Sequence, residues 1–207
     1  MGSYLFRRVL QEGHDSRFDE IRHSLAKFTS AFVGQATWVS LCLMPVLAVN
    51  SVPPSMLAAV PLKISDVLGL ALFAGGYIFE IIADRQKGRW LQERREKLHD
   101  EQFMTSGLWS RSQYPNYFGE ITLWTGIATF AAEAVVTRPV QIGLGLPGLT
   151  GKLFAASLFV SPAFVTFLLL QVTGVPLSEK KYDKKYGHRK DYQEWKRNTP
   201  RFFPKLF

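Results

Sequence analysis

The sequence predicts an all-α membrane protein, a polytopic helix bundle with about four transmembrane helices and cytosolic N- and C-termini. Three observations carry this expectation. Residues 28–49 contain no charged side chain, and 22 residues at 1.5 Å each reach about 33 Å, enough to cross a hydrocarbon core of about 30 Å. Three further apolar stretches of similar length follow. Lys and Arg are concentrated in the segments that a four-span topology puts on one side. Of 25 such residues, 22 lie there, and only Lys63, Arg138 and Lys152 fall on the other side.

Taken in order, residues 1–27 are mixed and charged, and Tyr4, Leu5, Phe6, Val9 and Leu10 have partial helical spacing that suits a membrane surface. Span one covers 28–49, with Pro45 tolerable in a packed membrane helix. Asn50, Ser51, Pro53, Pro54 and Ser55 then predict a turn. Span two runs over 64–83 and ends in Glu80 and Asp84. Residues 85–115 are polar and basic. Span three covers 117–136 and is interrupted by Glu120 and Glu133. A Gly/Pro-rich loop is expected over 137–152, span four over 153–172 with Pro162 inside it, and a basic cytosolic tail over 174–207. One membrane domain therefore occupies 1–207, with its helices in 28–173.

Several function classes drop out. The net charge of +8 could point to nucleic acid, but the basic segments directly flank apolar spans, which favours anionic headgroups or a phosphate-bearing ligand; no nucleic-acid partner is expected. A single cysteine, Cys42, excludes an intrachain disulfide framework. Arg7 and Arg8 lead into Gln11, Glu12, His14 and Asp15 rather than an apolar core, so a secretory signal is not expected. Gly2 is present, but Phe6 stands where myristoylation needs Ser or Thr. His14, His23, His99 and His188 show no ligand spacing, and no metal site is expected. Gly143 to Gly148 spell G-x-G-x-x-G, but Pro147 and the missing strand make this a loop rather than a dinucleotide fingerprint. Nothing in the sequence sets an oligomeric state.

The chemistry-bearing residues converge on one end. Acidic side chains at membrane depth are costly and often functional. Glu80 and Asp84 share one helix face, with Tyr77 beside them, and Glu120 lies about one turn into span three. All three carboxylates should meet near the cytosolic interface, as a polar pocket or as interfacial side chains paired with Arg85 and Arg89. Pro115 should hold the chain out of helix, leaving Asn116 as the N-cap of span three, or facing a ligand there. In the tail, aromatic residues alternate with Lys and Arg. This pattern fits a lipid-facing patch or a clamp over a phosphate-rich cofactor.

At this point the motifs resemble a known family. GLWSRSQYPNYFGEITLW is similar to the GLW-x-x-S-R-H-P-N-Y-x-G-E signature of the steroid 5-alpha-reductase-like membrane oxidoreductases, closest to their uncharacterised DUF1295-type branch. GHDSRFDEIR resembles its D-x-R-F element, FEIIADRQ its E-x-x-A-D-x-Q element, and VTGVPLSEKK with YGHRKDYQEWKRNTPRFFP its closing elements. The resemblance implies a membrane-embedded enzyme that binds NADPH from the cytosol and reduces a carbon–carbon double bond of a sterol-like or other lipid substrate. It implies Glu120 and Tyr117 as catalytic. It assigns Glu80, Asp84, Arg111, Asn116, Glu179, Tyr186, Tyr192 and Arg197 to the cofactor. Gln113 and Tyr114 stand where the signature has Arg-His. Set against the family pattern, the chain is expected to lack the membrane helices that usually precede the D-x-R-F element.

Two other functions stay open: an S-adenosylmethionine-dependent enzyme of the isoprenylcysteine carboxyl methyltransferase type, whose signature is related, and a non-catalytic membrane protein that keeps the fold. The E-x-x-A-D-x-Q and S-G-V-P-like elements favour the reductase. The compartment would be the endoplasmic reticulum membrane in a eukaryote and the inner membrane in a bacterium.

Overall fold

The computed structural model describes Leu10, Ile21 and residues 23–205. The surface segment and the Arg17-Phe18 element expected near the N-terminus therefore lie outside the described residues. The chain forms two compact units, Met1–Ser40 and Leu41–Phe207. Among the described residues the structure is all-helical, with no strand. Helix α1, Leu25–Asn50, begins in the first unit, where the rings of Phe28 and Phe32 lie 4.4 Å apart.

In the second unit, α1 ends with Asn50 Nδ2 donating to the carbonyl of Val46 (2.8 Å) and Ser51 Oγ to that of Leu47 (2.8 Å), satisfying backbone groups that a helix end leaves open. The expected turn follows and leads into a short helix, α2, Pro54–Ala58. Helix α3, Ile64–Arg95, runs 32 residues, past the expected end at Ala83. The polar extension is rich in good helix formers and carries i,i+4 pairs, Arg89 Nε to Glu93 (2.8 Å) and Gln92 to Glu96 (2.9 Å). The onset of charge at Glu80 thus marks where the apolar surface ends, not where the helix ends. Left-handed Lys97 (φ 58°) stops it.

Residues 98–106 fold back on α3. Arg94 donates to the carbonyl (2.9 Å) and side chain (3.1 Å) of Gln102, and Trp90 Nε1 donates to Glu101 (2.9 Å). A 3₁₀ turn, Gly107–Ser110, then sets Trp109 Nε1 on the Ala83 carbonyl at 3.0 Å.

Helix α4, Pro115–Val135, is antiparallel to α3 along a seam of glycines. A Cβ on Gly76 would lie 2.6 Å from the Gly119 carbonyl, and one on Gly119 would lie 2.7 Å from the Glu80 amide. One heptad away, Gly126 opposes Gly69 in the same way, a Cβ there meeting the Gly69 carbonyl at 2.6 Å. Backbone touches backbone at both levels, as small residues permit in membrane helix pairs. Helix α4 starts two residues earlier than expected. Pro115 occupies its first turn, where a missing N–H costs nothing, and Tyr114 rather than Asn116 is the cap residue.

The expected loop 137–152 is partly helical: α5 spans Arg138–Gly143 and α6, Leu149–Ser157, begins inside it. Buried Gln141 organises it, donating to the Val136 carbonyl (3.2 Å) and accepting from the Gly148 amide (2.9 Å). The last apolar stretch is broken. After α6 comes α7, Val160–Phe167, because Pro162 has no N–H to continue the ladder. A π turn, Leu168–Val172, follows, then α8, Gly174–Tyr186, and α9, Lys190–Asn198.

Three stretches, Leu25–Asn50, Ile64–Arg95 and Leu149–Tyr186, are long and apolar enough to cross a bilayer, the signature of a membrane protein. The fourth expected span, α4, is 21 residues long but, interrupted by Glu120 and Glu133, is not among these three. The packing explains this. Helix α4 lies against α3, α5, α6 and α7, and Phe130 is its one exposed residue. By contrast α3 turns Leu68, Leu70, Tyr77, Ile78 and Ile82 outward, where lipid would cover them. A helix covered by other helices need not match the polarity of the hydrocarbon.

Candidate functional site

The site lies where the polar end of α3 meets the start of α4 and the tail helices. The Gly76–Gly119 contact brings Glu80 beside α4, so that the carboxyls of Glu80, Asp84 and Glu120 feel one another's charge. The Asp84 carboxyl faces the Asn116 amide and the Lys87 ammonium, and Glu120 is hydrogen-bonded by Trp124 one turn further on. Tyr117 is hydrogen-bonded with Ser178 of α8. That contact depends on the π turn and Gly174: a Cβ on Gly174 would lie 2.8 Å from the Tyr117 ring.

Because Pro115 and Tyr114 start the helix, the Asn116 side chain is free of capping duty. Its Oδ1 is buried and has no hydrogen-bond partner. It lines a cavity with Lys87, Trp109, Tyr114, Tyr117, Ser178, Tyr182 and Trp195, among others. Lys87 Nζ sits 4.2 Å from the centre of the Trp109 ring, and Tyr114 and Tyr117 stack 5.5 Å apart with parallel planes. The cavity encloses about 50 Å³, because Tyr182, Tyr192 and Trp195 crowd it from the tail; a small-molecule site is usually about 300–1,000 Å³. Burial, and then the nearby Glu179 carboxyl, push the Tyr114 hydroxyl above its ordinary range.

The tail is stitched down by Gln113. Its Nε2 donates to the carbonyls of Lys196 (2.8 Å) and Thr199 (2.7 Å), and its amide donates to that of Pro200 (2.9 Å). Ser112 Oγ adds a bond to the Phe202 carbonyl (2.8 Å), and Trp195 Nε1 donates to that of Trp109 (3.3 Å).

The residues singled out in the sequence separate into two groups. Glu80, Asp84, Asn116, Tyr117 and Glu120 come together. Glu179 is close by but pairs with Arg201 (3.0 Å). Arg111 lies further along the tail, donating to the Lys205 carbonyl at 3.3 Å. Tyr186 and Tyr192 are buried around Phe103 with Tyr182 and Trp195, and Tyr192 Oη donates to Asp183 (2.8 Å), which also accepts from Lys196 Nζ (2.8 Å). Burial, then Asp183, raise the Tyr192 hydroxyl above its usual range. Arg197 is exposed on α9. Lys87, Ser178 and the clamp made by Gln113 were not singled out for these roles. Lys87 sits one turn after Asp84 on the same helix, a spacing that pointed to it.

The family model for proteins of unknown function DUF1295 matches residues 1–199. The chain belongs to DUF1295. No curated protein and no solved structure matches it. The DUF1295 match takes in every residue of the carboxyl–asparagine cluster and all but the end of the tail.

Proposed function

We propose that this DUF1295 protein is an NADPH-dependent reductase of the steroid 5-alpha-reductase-like kind, acting on a carbon–carbon double bond of a steroid or other lipid at the cytosolic face of the membrane. One observation carries the reading: the buried, unpartnered Oδ1 of Asn116, set beside a lysine and aromatic ring faces. An orphaned acceptor costs about 1–3 kcal/mol. An amide N–H, such as that of a nicotinamide carboxamide, would satisfy it. Lys87 would balance a phosphate, and the Tyr114–Tyr117 stack offers faces for a ring. The residues present therefore fit a dinucleotide, with Asn116 and Lys87 as the groups that would hold it. The orientation rests on the 22 of 25 Lys and Arg assigned to one side.

When bound, the dinucleotide supplies a hydride. The chain's residues supply the rest. Asn116 fixes the amide; Tyr117 or Glu120 holds the proton that the second carbon of the double bond takes up, and recovers it from solvent; α8 and α9 keep water out. Since the cavity is small as it stands, admission of the dinucleotide requires the tail to swing outward.

Titration of NADPH into the purified full chain in detergent, followed by tryptophan fluorescence, tests this. Trp109 and Trp195 line the cavity, so saturable quenching is expected. Asn116→Leu should weaken binding by about ten-fold, the equivalent of about 1.4 kcal/mol. It removes a buried unpaired acceptor but also the amide that hydrogen-bonds Asp84, so thermal stability should change by no more than about 1 kcal/mol. Saturable binding of S-adenosylmethionine with none of NADPH would overturn the reading in favour of a methyltransferase. NADPH oxidation with a lipid extract, abolished by Glu120→Gln, would exclude a non-catalytic protein.

A further inference from the structure

At its other end the seam that carries the acids is flanked by an apolar groove between α1 and the α3–α4 pair. Gly69 and Gly126, in backbone contact with each other, form its floor, and its walls include Val46, Phe73, Ile127 and Phe130. The volume is about 270 Å³, and Asn50 is its one uncharged polar side chain. Two rows of side chains connect the groove with the carboxyl cluster. On α3, Phe73 stacks on Tyr77, 6.3 Å between parallel rings, and Glu80 and Asp84 follow at helical spacing. On α4, Ile127 leads to Trp124, which is hydrogen-bonded to Glu120. From Gly69 to Glu80 is eleven residues, or about 16 Å of helix at 1.5 Å each.

Resting on the reductase reading, we propose that this groove is the chain-binding channel of the site, and that the substrate is an elongated lipid whose polar head carries no negative charge. Two features on the page select that class. The groove is lined by apolar side chains and lies about 10–16 Å of helix from Glu80, a distance that a long hydrocarbon chain bridges and a short one does not. The head, arriving past Tyr77 and Trp124, meets Glu80, Asp84 and Glu120, and an anionic head there would be unpaired among like charges. The rings at Tyr77 and Trp124 fix the depth at which the chain gives way to the head.

Photo-crosslinking of the full chain in detergent, without dinucleotide, tests the assignment. The probes are diazirine-tagged hexadecanol, palmitate and octanol. Hexadecanol should label peptides that contain Phe73 or Ile127, about ten-fold better than palmitate, a ratio worth about 1.4 kcal/mol. Octanol should label them weakly. Val46→Trp, at the lipid-facing wall, should cut the hexadecanol labelling several-fold, and Phe130→Trp provides a second blocked groove should the first variant fold poorly. Glu80→Gln combined with Glu120→Gln should bring palmitate up towards hexadecanol. Equal labelling by hexadecanol and palmitate in the unaltered chain, or labelling indifferent to a filled groove, overturns the proposal. A parallel NADPH titration keeps the two readings apart: lost dinucleotide binding with selective labelling intact sinks only the reductase, and the converse sinks only the channel.

Discussion

The two ends of the α3–α4 seam share one backbone contact and differ in everything laid over it. At both, glycine faces glycine and the helices touch. At the Gly76–Gly119 end the surroundings are carboxyls, a lysine and stacked rings, and the tail is tied across them by the Gln113 side chain and the Trp195 indole. At the Gly69–Gly126 end Asn50 is the one polar side chain that lines the groove left between α1 and the α3–α4 pair. A close helix pair therefore acts as a neutral scaffold. What is placed on it, polar groups under a strap or bare apolar walls, decides which end suits a water-soluble ligand and which a lipid.

The largest effect should come from breaking the scaffold itself. Gly75 and Gly76 are neighbours, yet a Cβ on Gly75 meets nothing within 4 Å while one on Gly76 would enter α4. Gly76→Leu should cost at least about 1–3 kcal/mol, the usual range for overpacking, and should separate Glu80 from Glu120. Gly75→Leu should leave stability unchanged or higher, since glycine in a helix interior costs about 1 kcal/mol relative to good helix formers. Thermal unfolding in detergent measures both. Equal losses would mean that the seam is not the contact that holds α3 to α4.

Next comes the strap at the polar end. Gln113→Ala strands the carbonyls of Lys196 and Thr199 inside the protein, at a cost of about 1–3 kcal/mol. The loss should be local: faster hydrogen exchange and proteolysis over 190–205, with α3 and α4 unaffected. Because the strap also closes the cavity, the same variant should admit NADPH faster. An unchanged exchange pattern would show that the tail is held by its aromatic packing alone.

This strap also shows where reading the sequence stops. The four apolar stretches were legible because length and absence of charge are local properties; three fall on single helices, and the last is broken into α6, α7 and a π turn. The carboxyls of Glu80, Asp84 and Glu120 were legible as a group because helical spacing and the direction of the spans bring them to one end. Gln113 was not, since read locally it is only a neutral residue where related signatures carry a cation. Its role lies in two carbonyls more than 80 residues away. Asn116 was legible as a helix cap or as a group facing a ligand; Tyr114 is the cap and Pro115 takes the first turn, so the Asn116 side chain lines the cavity. Tyr186 and Tyr192 drew notice as aromatics among lysines. Alternation in sequence cannot separate rings that stack on a ligand from rings that pack on Phe103.

The smallest effects should come from the ion pairs that flank the two ends. Lys63 and Glu133 pair at the apolar end, Arg201 and Glu179 at the polar end, and the cationic side chains are 44% and 56% exposed. Exposed pairs contribute about 0–1 kcal/mol, because water screens the charges and long side chains lose freedom on pairing. Double-mutant cycles on each pair, Lys63→Gln with Glu133→Gln and Arg201→Gln with Glu179→Gln, should each give a coupling below about 1 kcal/mol that shrinks further in high salt. Their value lies in what else they read. Lys63→Gln should leave NADPH binding unchanged, since its end of the seam is remote from Asn116 and Lys87. Arg201→Gln should weaken it modestly, because Glu179 would be left unpaired beside Tyr114 and would add a fourth carboxylate to a site that must hold phosphate. Identical effects of the two substitutions on binding would erase the difference between the ends, and with it the assignment of the polar end to the dinucleotide.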